Sequence, residues 1–133
     1  MRNLALSTAA LAAALPAAAQ TPKELLDAYA AEARNDNPAF VGTSAERGRA
    51  FFTRVQGKDW SCASCHTSTP SAGGKHAVTG KAIAPLAPAA NPKRFASAYK
   101  AEKWFRRNCN DVLGRECTAG EKGDVLAWLL AVR

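Results

Sequence analysis

One short run governs what this chain can fold around. Within Trp60-Ser61-Cys62-Ala63-Ser64-Cys65-His66 stands the pattern C-x-x-C-H, the attachment signal of a c-type haem. Two thiols separated by two residues can add to the two vinyl groups on one edge of a porphyrin. The histidine that follows then falls beneath the iron as the proximal ligand. A zinc site would need two further soft ligands at workable spacing, and a thioredoxin-like redox pair would need a surrounding βαβ pattern. The sequence has neither, so the motif reads as the anchor of one covalently attached haem c.

The 133 residues are enough for one domain. With 47% hydrophobic and 22% charged residues, the composition is that of an ordinary globule. The first twenty residues differ. Arg2 gives a positive start, residues 4–15 are an Ala/Leu run, Pro16 interrupts it, and Ala17-Ala18-Ala19 offers a small-residue cleavage site. We expect residues 1–19 to be a cleaved signal peptide and 20–133 a single exported domain, in the bacterial periplasm. A retained anchor is the poorer reading because the apolar run is short, and no run spans a bilayer in the mature chain. Export suits the motif, since covalent haem attachment in bacteria is completed outside the cytoplasm.

The formal charge of +7 is spread over scattered residues, among them Arg47, Arg49, Lys75, Lys93, Arg94, Lys103 and Arg107. No dense basic run points to nucleic acid. A positive face that steers an acidic redox partner and a plainly solvated surface both remain open.

Thr21-Pro22-Lys23-Glu24 opens a helix with a capping box and Pro at its first position, and residues 35–38 end it. Thr43-Ser44-Ala45-Glu46 repeats the capping logic for a second helix, which should stop near Gln56-Gly57. Gly48 inside it costs up to about 1 kcal/mol relative to Ala, which a close helix–helix approach would explain. Residues 67–92 are rich in Gly, Pro, Ser, Thr and Ala. Alone they resemble a linker; around a haem they read as a long structured loop. A backbone carbonyl near Pro85 is a candidate acceptor for the His66 Nδ1–H. A third helix is expected over 94–108, and Thr118-Ala119-Gly120-Glu121 caps a last one with Val125, Leu126, Trp128, Leu129 and Val132 on its apolar face. With no strand pattern, the expectation is an all-α fold of the class I cytochrome c kind. It has about four helices around one haem, with Gly48 and Phe52 meeting the Trp128 face.

The second axial ligand is the informative question. The chain has one methionine, Met1, which leaves with the signal peptide, so His/Met ligation is excluded. A lysine would first have to lose its proton, which costs roughly 4–5 kcal/mol at neutral pH. His76 loses its proton at almost no cost. It lies in the flexible Gly73-Gly74-Lys75-His76 stretch, whereas the class I distal ligand comes from the C-terminal half. There, Ala101, Trp104, Phe105 and Asn108 share one helical face. An amide in line with an apolar stripe needs a partner, and iron would be one. Asn110 lies about 200° further round. The other role open to Asn108 is that of a C-terminal helix residue bonding backbone, and iron with no protein ligand on this side is a further case. Cys109 and Cys117 close a short loop beside it. A disulfide is the default for such a pair in an oxidising compartment. No second C-x-x-C-H exists, so there is one haem.

The run Glu102-Lys103-Trp104-Phe105-Arg106-Arg107-Asn108-Cys109-Asn110-Asp111-Val112-Leu113-Gly114-Arg115-Glu116-Cys117-Thr118 resembles the sphaeroides haem protein family of oxygen-binding monohaem cytochromes c. Residues 79–88 resemble its middle segment, and Ala45-Glu46-Arg47-Gly48-Arg49 its second helix. The resemblance implies thioether links at Cys62 and Cys65, a proximal His66, Asn108 as distal ligand and a Cys109–Cys117 disulfide. It also implies loss of the asparagine on reduction, binding of O2, CO or NO in its place, and electron donation by a dihaem cytochrome c or a membrane b-type cytochrome. His76 falls outside the matching motifs. Two other functions compete: a plain electron carrier with permanent His66/His76 ligation, and an oxidoreductase that turns over a small substrate at the open position. No dedicated acid–base group stands near Asn108 in the sequence, so an enzyme is the less expected of the three.

Overall fold

Thr21 and Thr118 start their helices by the same device. The Thr21 hydroxyl accepts from the Glu24 amide at 3.2 Å while the Glu24 carboxylate accepts from the Thr21 amide at 2.7 Å. Thr118 and Glu121 repeat the exchange at 3.2 and 2.9 Å. Each box satisfies two amides that the first helical turn leaves without partners. The computed structural model describes residues 19–133. The expected signal peptide therefore lies outside the described residues, apart from Ala19.

The described residues form helices α1 (Pro22–Asp36), α2 (Ala45–Thr53), α3 (Ala63–His66), α4 (Ala98–Leu113) and α5 (Ala119–Ala131), with strands β1 (Gly74–Lys75) and β2 (Ala82–Ile83) between α3 and α4. The all-α expectation holds, with two refinements. The haem motif forms its own short helix, and the loop after it contains an antiparallel pair with Gly74 opposite Ile83. Strands of two residues are too short to leave any periodicity in a sequence.

Helix boundaries moved for identifiable reasons. Ser44 alone caps α2, accepting from the Arg47 amide at 3.2 Å, and Glu46 closes no box there. The helix ends at Thr53, ahead of the expected stop, where Gln56 Nε2 bonds the Phe51 carbonyl and its backbone pairs with Trp60. Helix α4 starts late because Phe95 has φ +58°, which no α-helix contains, and Ser97 supplies the cap. It runs on to Gly114, whose left-handed φ of +73° ends it. Asn108 is therefore interior to α4, which removes its role as a helix-terminal residue.

Helix α5 is the centre of the molecule and packs on both α1 and α2. Leu126 and Leu129 are fully buried, and Phe52 meets Trp128 at 5.0 Å between ring centroids. Each such side chain contributes about 1.5–3 kcal/mol by leaving water. Gly48 lies against the Asp124 carbonyl so closely that a Cβ would collide with it, which accounts for a glycine inside α2. Buried Asp124 accepts from Ser44 N at 2.7 Å and from Arg47 Nε at 2.8 Å and Nη2 at 2.9 Å. Arg47 is thus an interhelix tie and not part of a free basic face. No described helix is long and apolar enough to cross a membrane.

Candidate functional site

The haem motif sits on α3, whose turn is closed by bonds from Cys65 N and His66 N to the Cys62 carbonyl at 3.3 and 3.1 Å. One helical turn carries both thiols on the same side and leaves His66 next in line. Both cysteines are free and half-buried. Ser61 N donates to Ser64 Oγ at 3.0 Å at the start of the turn, and Thr67, with φ +63°, ends it. Gly74 backs onto α3, where a Cβ would collide with the Cys65 carbonyl. The amide of Ala77 donates to Cys65 Sγ at 3.3 Å. The hairpin is therefore pressed against the motif by backbone contact.

His66 packs on Phe52 at 6.0 Å between centroids. Burial, reinforced by the Arg94 charge, pushes the imidazole down to about 4, so it is neutral at physiological pH, the form in which it ligates metal. Burial pushes the Cys62 thiol up to about 11. Cys62 and Ala63 join the cluster of Phe51, Phe52, Val125, Trp128 and Leu129, which Leu86, Phe95, Phe105, Leu113 and Cys117 also touch. Motif, loop and α4 thus converge on one apolar lining. Two free thiols on one turn, a neutral imidazole and aromatic walls fit a covalently held haem. They fit zinc poorly, and among the described residues no group of three or more His, Cys, Asp or Glu could hold a metal ion.

Helix α4 reaches this site by a second route. The turn before the motif lies against its C-terminal end: Lys58 N donates to the Val112 carbonyl at 3.4 Å, and Gly57, with φ +49°, packs on the Val112 and Leu113 carbonyls. Asn108 is half-buried on α4, and among the described residues its amide makes no side-chain hydrogen bond. Asn110 differs, with Nδ2 donating to the Arg106 carbonyl at 2.9 Å on an exposed face. The structure joins Cys109 to Cys117, with Cα atoms 5.7 Å apart, so the residue after Asn108 is pinned. The expected apolar stripe is narrower than its spacing suggested. Ala101 is buried and Phe105 packs inward, but Trp104 is 46% exposed with the Arg107 guanidinium 5.7 Å from its ring centroid.

His76 has a local task. Its Nδ1 accepts from the amides of Val78 and Thr79 at 3.3 and 3.1 Å, and so caps the turn between β1 and β2. Of the carbonyls near Pro85, one of which is the expected acceptor for His66, that of Ala84 accepts from Arg94 Nη2 at 2.8 Å, and that of Pro85 is likewise engaged elsewhere. It accepts from Arg94 Nε at 3.0 Å and Asn91 Nδ2 at 3.3 Å, and no bond runs to it from His66. Two features of the site escaped the sequence. Arg94 looked like one cation among many, and only the second glycine of Gly73-Gly74 hinted at the close approach.

Comparison with known proteins adds the family. Residues 38–129 match the family described as "Domain of unknown function (DUF1924)". The chain is 45% identical to cytochrome c-type protein SHP of Cereibacter sphaeroides, over 98% of this chain and 99% of that protein. A structure of oxidised SHP, described as an oxygen-binding cytochrome c, superposes with a TM-score of 0.74 at 46% identity, over 84% of this chain and 96% of that one. A solution structure of cytochrome c'' from Methylophilus methylotrophus, described as bearing on haem-ligand detachment, gives a TM-score of 0.74 at 42% identity, over 82% and 91% of the two chains. This chain belongs to the family of SHP and cytochrome c'', and is an all-α c-type cytochrome with a covalently attached haem c.

Proposed function

We propose that the chain is an exported, redox-gated haem protein that binds diatomic gases and accepts electrons from a partner protein. Cys62 and Cys65 form the thioether links, His66 is the proximal ligand, and Asn108 is the distal ligand of the oxidised state. The observation that carries this reading is the Asn108 amide. It is half-buried, makes no side-chain hydrogen bond among the described residues, and is the neighbour of a cysteine held by a disulfide. The competing donors are weaker candidates: the sole methionine is Met1, and the His76 ring already serves its own turn.

When bound, haem c supplies an iron that changes oxidation state, holds a hard oxygen donor less tightly once reduced, and then favours diatomic ligands. Asn108 is suited to that change because a neutral amide is a weak donor that a small loss of attraction can release. Its Nδ2–H can then donate a hydrogen bond to a partly negative diatomic molecule. The disulfide keeps the amide within reach in both states. The oxygen binding described for SHP and the ligand detachment described for cytochrome c'' favour the same behaviour here. The donor we assign is a dihaem cytochrome c or a membrane b-type cytochrome, approached with exposed cations such as Lys100, Lys103 and Arg107. The alanine-rich leader, residues 1–19, and the disulfide favour the periplasm.

Absorption spectra of the holoprotein, oxidised and reduced, with and without CO, provide the test. We expect a high-spin reduced protein that takes up CO stoichiometrically, and an oxidised spectrum altered by Asn108→Ala but not by His76→Ala. A reduced protein that stays low-spin and ignores CO would make it a plain carrier. Steady consumption of a substrate under a reducing system would make it an oxidoreductase.

A further inference from the structure

The helix that carries Asn108 is fastened at its far end by the chain that leads into the haem motif. The last carbonyls of an α-helix have no partners inside it, and those of α4 are served from outside. Lys58 N donates to the Val112 carbonyl at 3.4 Å, and Lys58 Nζ to the Asn110 carbonyl at 3.5 Å. Gly57 rests on the same turn of helix, where a Cβ would stand 3.0 Å from both the Val112 and the Leu113 carbonyl oxygens. That clearance is tighter than ordinary van der Waals contact. Gly114, with φ +73°, turns the chain out of α4 beside the Lys58 side chain.

Two further features show that the contact is built. The turn has a fixed shape. Gln56 N bonds the Trp60 carbonyl across its neck at 2.9 Å, and Gln56 Nε2 ties it back to the Phe51 carbonyl in α2 at 3.0 Å. Gly57 and Asp59 are both left-handed, with φ +49° and +63°, and a non-glycine residue stays in that region only where its surroundings hold it there. Only Trp60 and Ser61 then separate the turn from Cys62. Helix α4, by contrast, takes part in neither of the close helix crossings, which join α1 and α2 to α5. Its C-terminal half is placed by this turn, by the Cys109–Cys117 disulfide and by side chains such as Phe105.

We infer that Gly57 and Lys58 are positioning residues for the distal ligand: their turn fixes the spacing between the proximal motif and the end of α4, and so sets how firmly Asn108 is held on the iron. The inference rests on the reading above, in which His66 and Asn108 are the axial pair. Asn108 stands one helical turn before Val112, so a push on the Val112 and Leu113 carbonyls reaches it through a single turn of hydrogen-bonded backbone. A neutral amide is a weak donor, and a small displacement is enough to release it.

The test compares oxidised absorption spectra of the holoprotein for wild type, Gly57→Ala, Lys58→Leu and Arg47→Ala, with Asn108→Ala as the spectrum of the protein without its amide ligand. Gly57→Ala should move the spectrum toward that of Asn108→Ala, shifting the balance of bound and released amide about tenfold. Lys58→Leu, which removes one cation from the C-terminal end of α4, should shift it about twofold in the same direction. Arg47→Ala is the control, since Arg47 bonds Asp124 and Gly42, both outside α4. It should lower the midpoint of chemical denaturation and leave the spectrum in place. An unmoved spectrum in Gly57→Ala would overturn the inference, as would an equal shift in Arg47→Ala, because general loosening and not the turn would then be responsible. If Gly57→Ala fails to mature, Lys58→Leu against Arg47→Ala decides by the same criteria. The two readings fail differently. An unchanged oxidised spectrum in Asn108→Ala removes the asparagine ligand itself. A changed one, beside an unmoved Gly57→Ala, removes only the positioning role. In the double variant Gly57→Ala/Asn108→Ala the first substitution should add nothing, and an added shift would show that the turn does not act through Asn108.

Discussion

The two sides of this molecule are held together by different physics. On one side α1, α2 and α5 interlock through large apolar side chains, two capping boxes and the buried Asp124–Arg47 tie. On the other side, between α3 and α4, the chain has one short helix, two-residue strands and contacts made by backbone: Gly74 on Cys65, Leu86 N on Pro70, Arg94 on Pro85. The first side buries its own apolar surface. The second uses local turns and clamps to present a few groups around a cofactor, which in a c-type cytochrome takes much of the space a core would fill. The first therefore carries stability, and the second carries the chemistry.

The largest expected effect is on the helical side. Gly48→Val would drive a branched side chain into the Asp124 carbonyl and the Val125 amide, and should cost about 4 kcal/mol or more. Chemical denaturation of the holoprotein checks it, and an unchanged midpoint would break the picture of a tight α2–α5 crossing. Replacing both cysteines in Cys109→Ser/Cys117→Ser should remove about 2–3 kcal/mol. The oxidised spectrum should also become heterogeneous if the disulfide restrains Asn108. Gly74→Ala probes the other side. With a backbone carbonyl in the way, overpacking of about 1–3 kcal/mol is expected. Its signature should be a fall in haem-loaded yield, read as Soret absorbance per milligram of protein.

Smaller effects sharpen the contrast. Burial alone would raise the Glu121 carboxyl, but bonds from Arg115 and from the Thr118 amide and hydroxyl outweigh it and hold it below the ordinary carboxylate range. Its contribution is therefore present above its unfolded-state pKa and is lost as pH falls through the lower folded value. Glu121→Gln should cost about 0.5–1 kcal/mol at neutral pH, a gap that closes on acidification in pH-resolved thermal melts. Tyr29→Phe should change stability by less than about 0.5 kcal/mol, because the buried Tyr29 hydroxyl has no hydrogen-bond partner among the described residues. A larger loss would mean that Tyr29 contributes to the Lys122–Glu102 pair beside it.

The helical side was legible because its signals are local and repeated. Thr21-x-x-Glu24 and Thr118-x-x-Glu121 name their helices, and Gly48 announced a close crossing. The motif Cys62-x-x-Cys65-His66 declared the cofactor with no help from the fold, since thioether chemistry demands that spacing. The loop was not legible, because single hydrogen bonds between distant residues leave no periodic trace. A carbonyl near Pro85 is the expected partner of His66, and the structure gives those of Ala84 and Pro85 to Arg94, with Asn91 also on Pro85. Trp104 was placed on a buried stripe and is half exposed, because the spacing of i, i+3 and i+4 defines a face but not how much of it a neighbour covers.

By itself, then, the sequence determined the cofactor and the helical class, both of which follow from residue identity and short spacing. Only the tertiary structure decided which charges are spent internally, as Arg47 is on Asp124 and Arg94 is on the carbonyls of Ala84 and Pro85. It also decided that Asn108 lies inside α4 with its amide unengaged while Asn110 is tied to its own helix. The reason is physical: a side chain's partners are set by what the fold brings within a few ångströms, and residues eighty positions apart share no signal until the chain closes on itself.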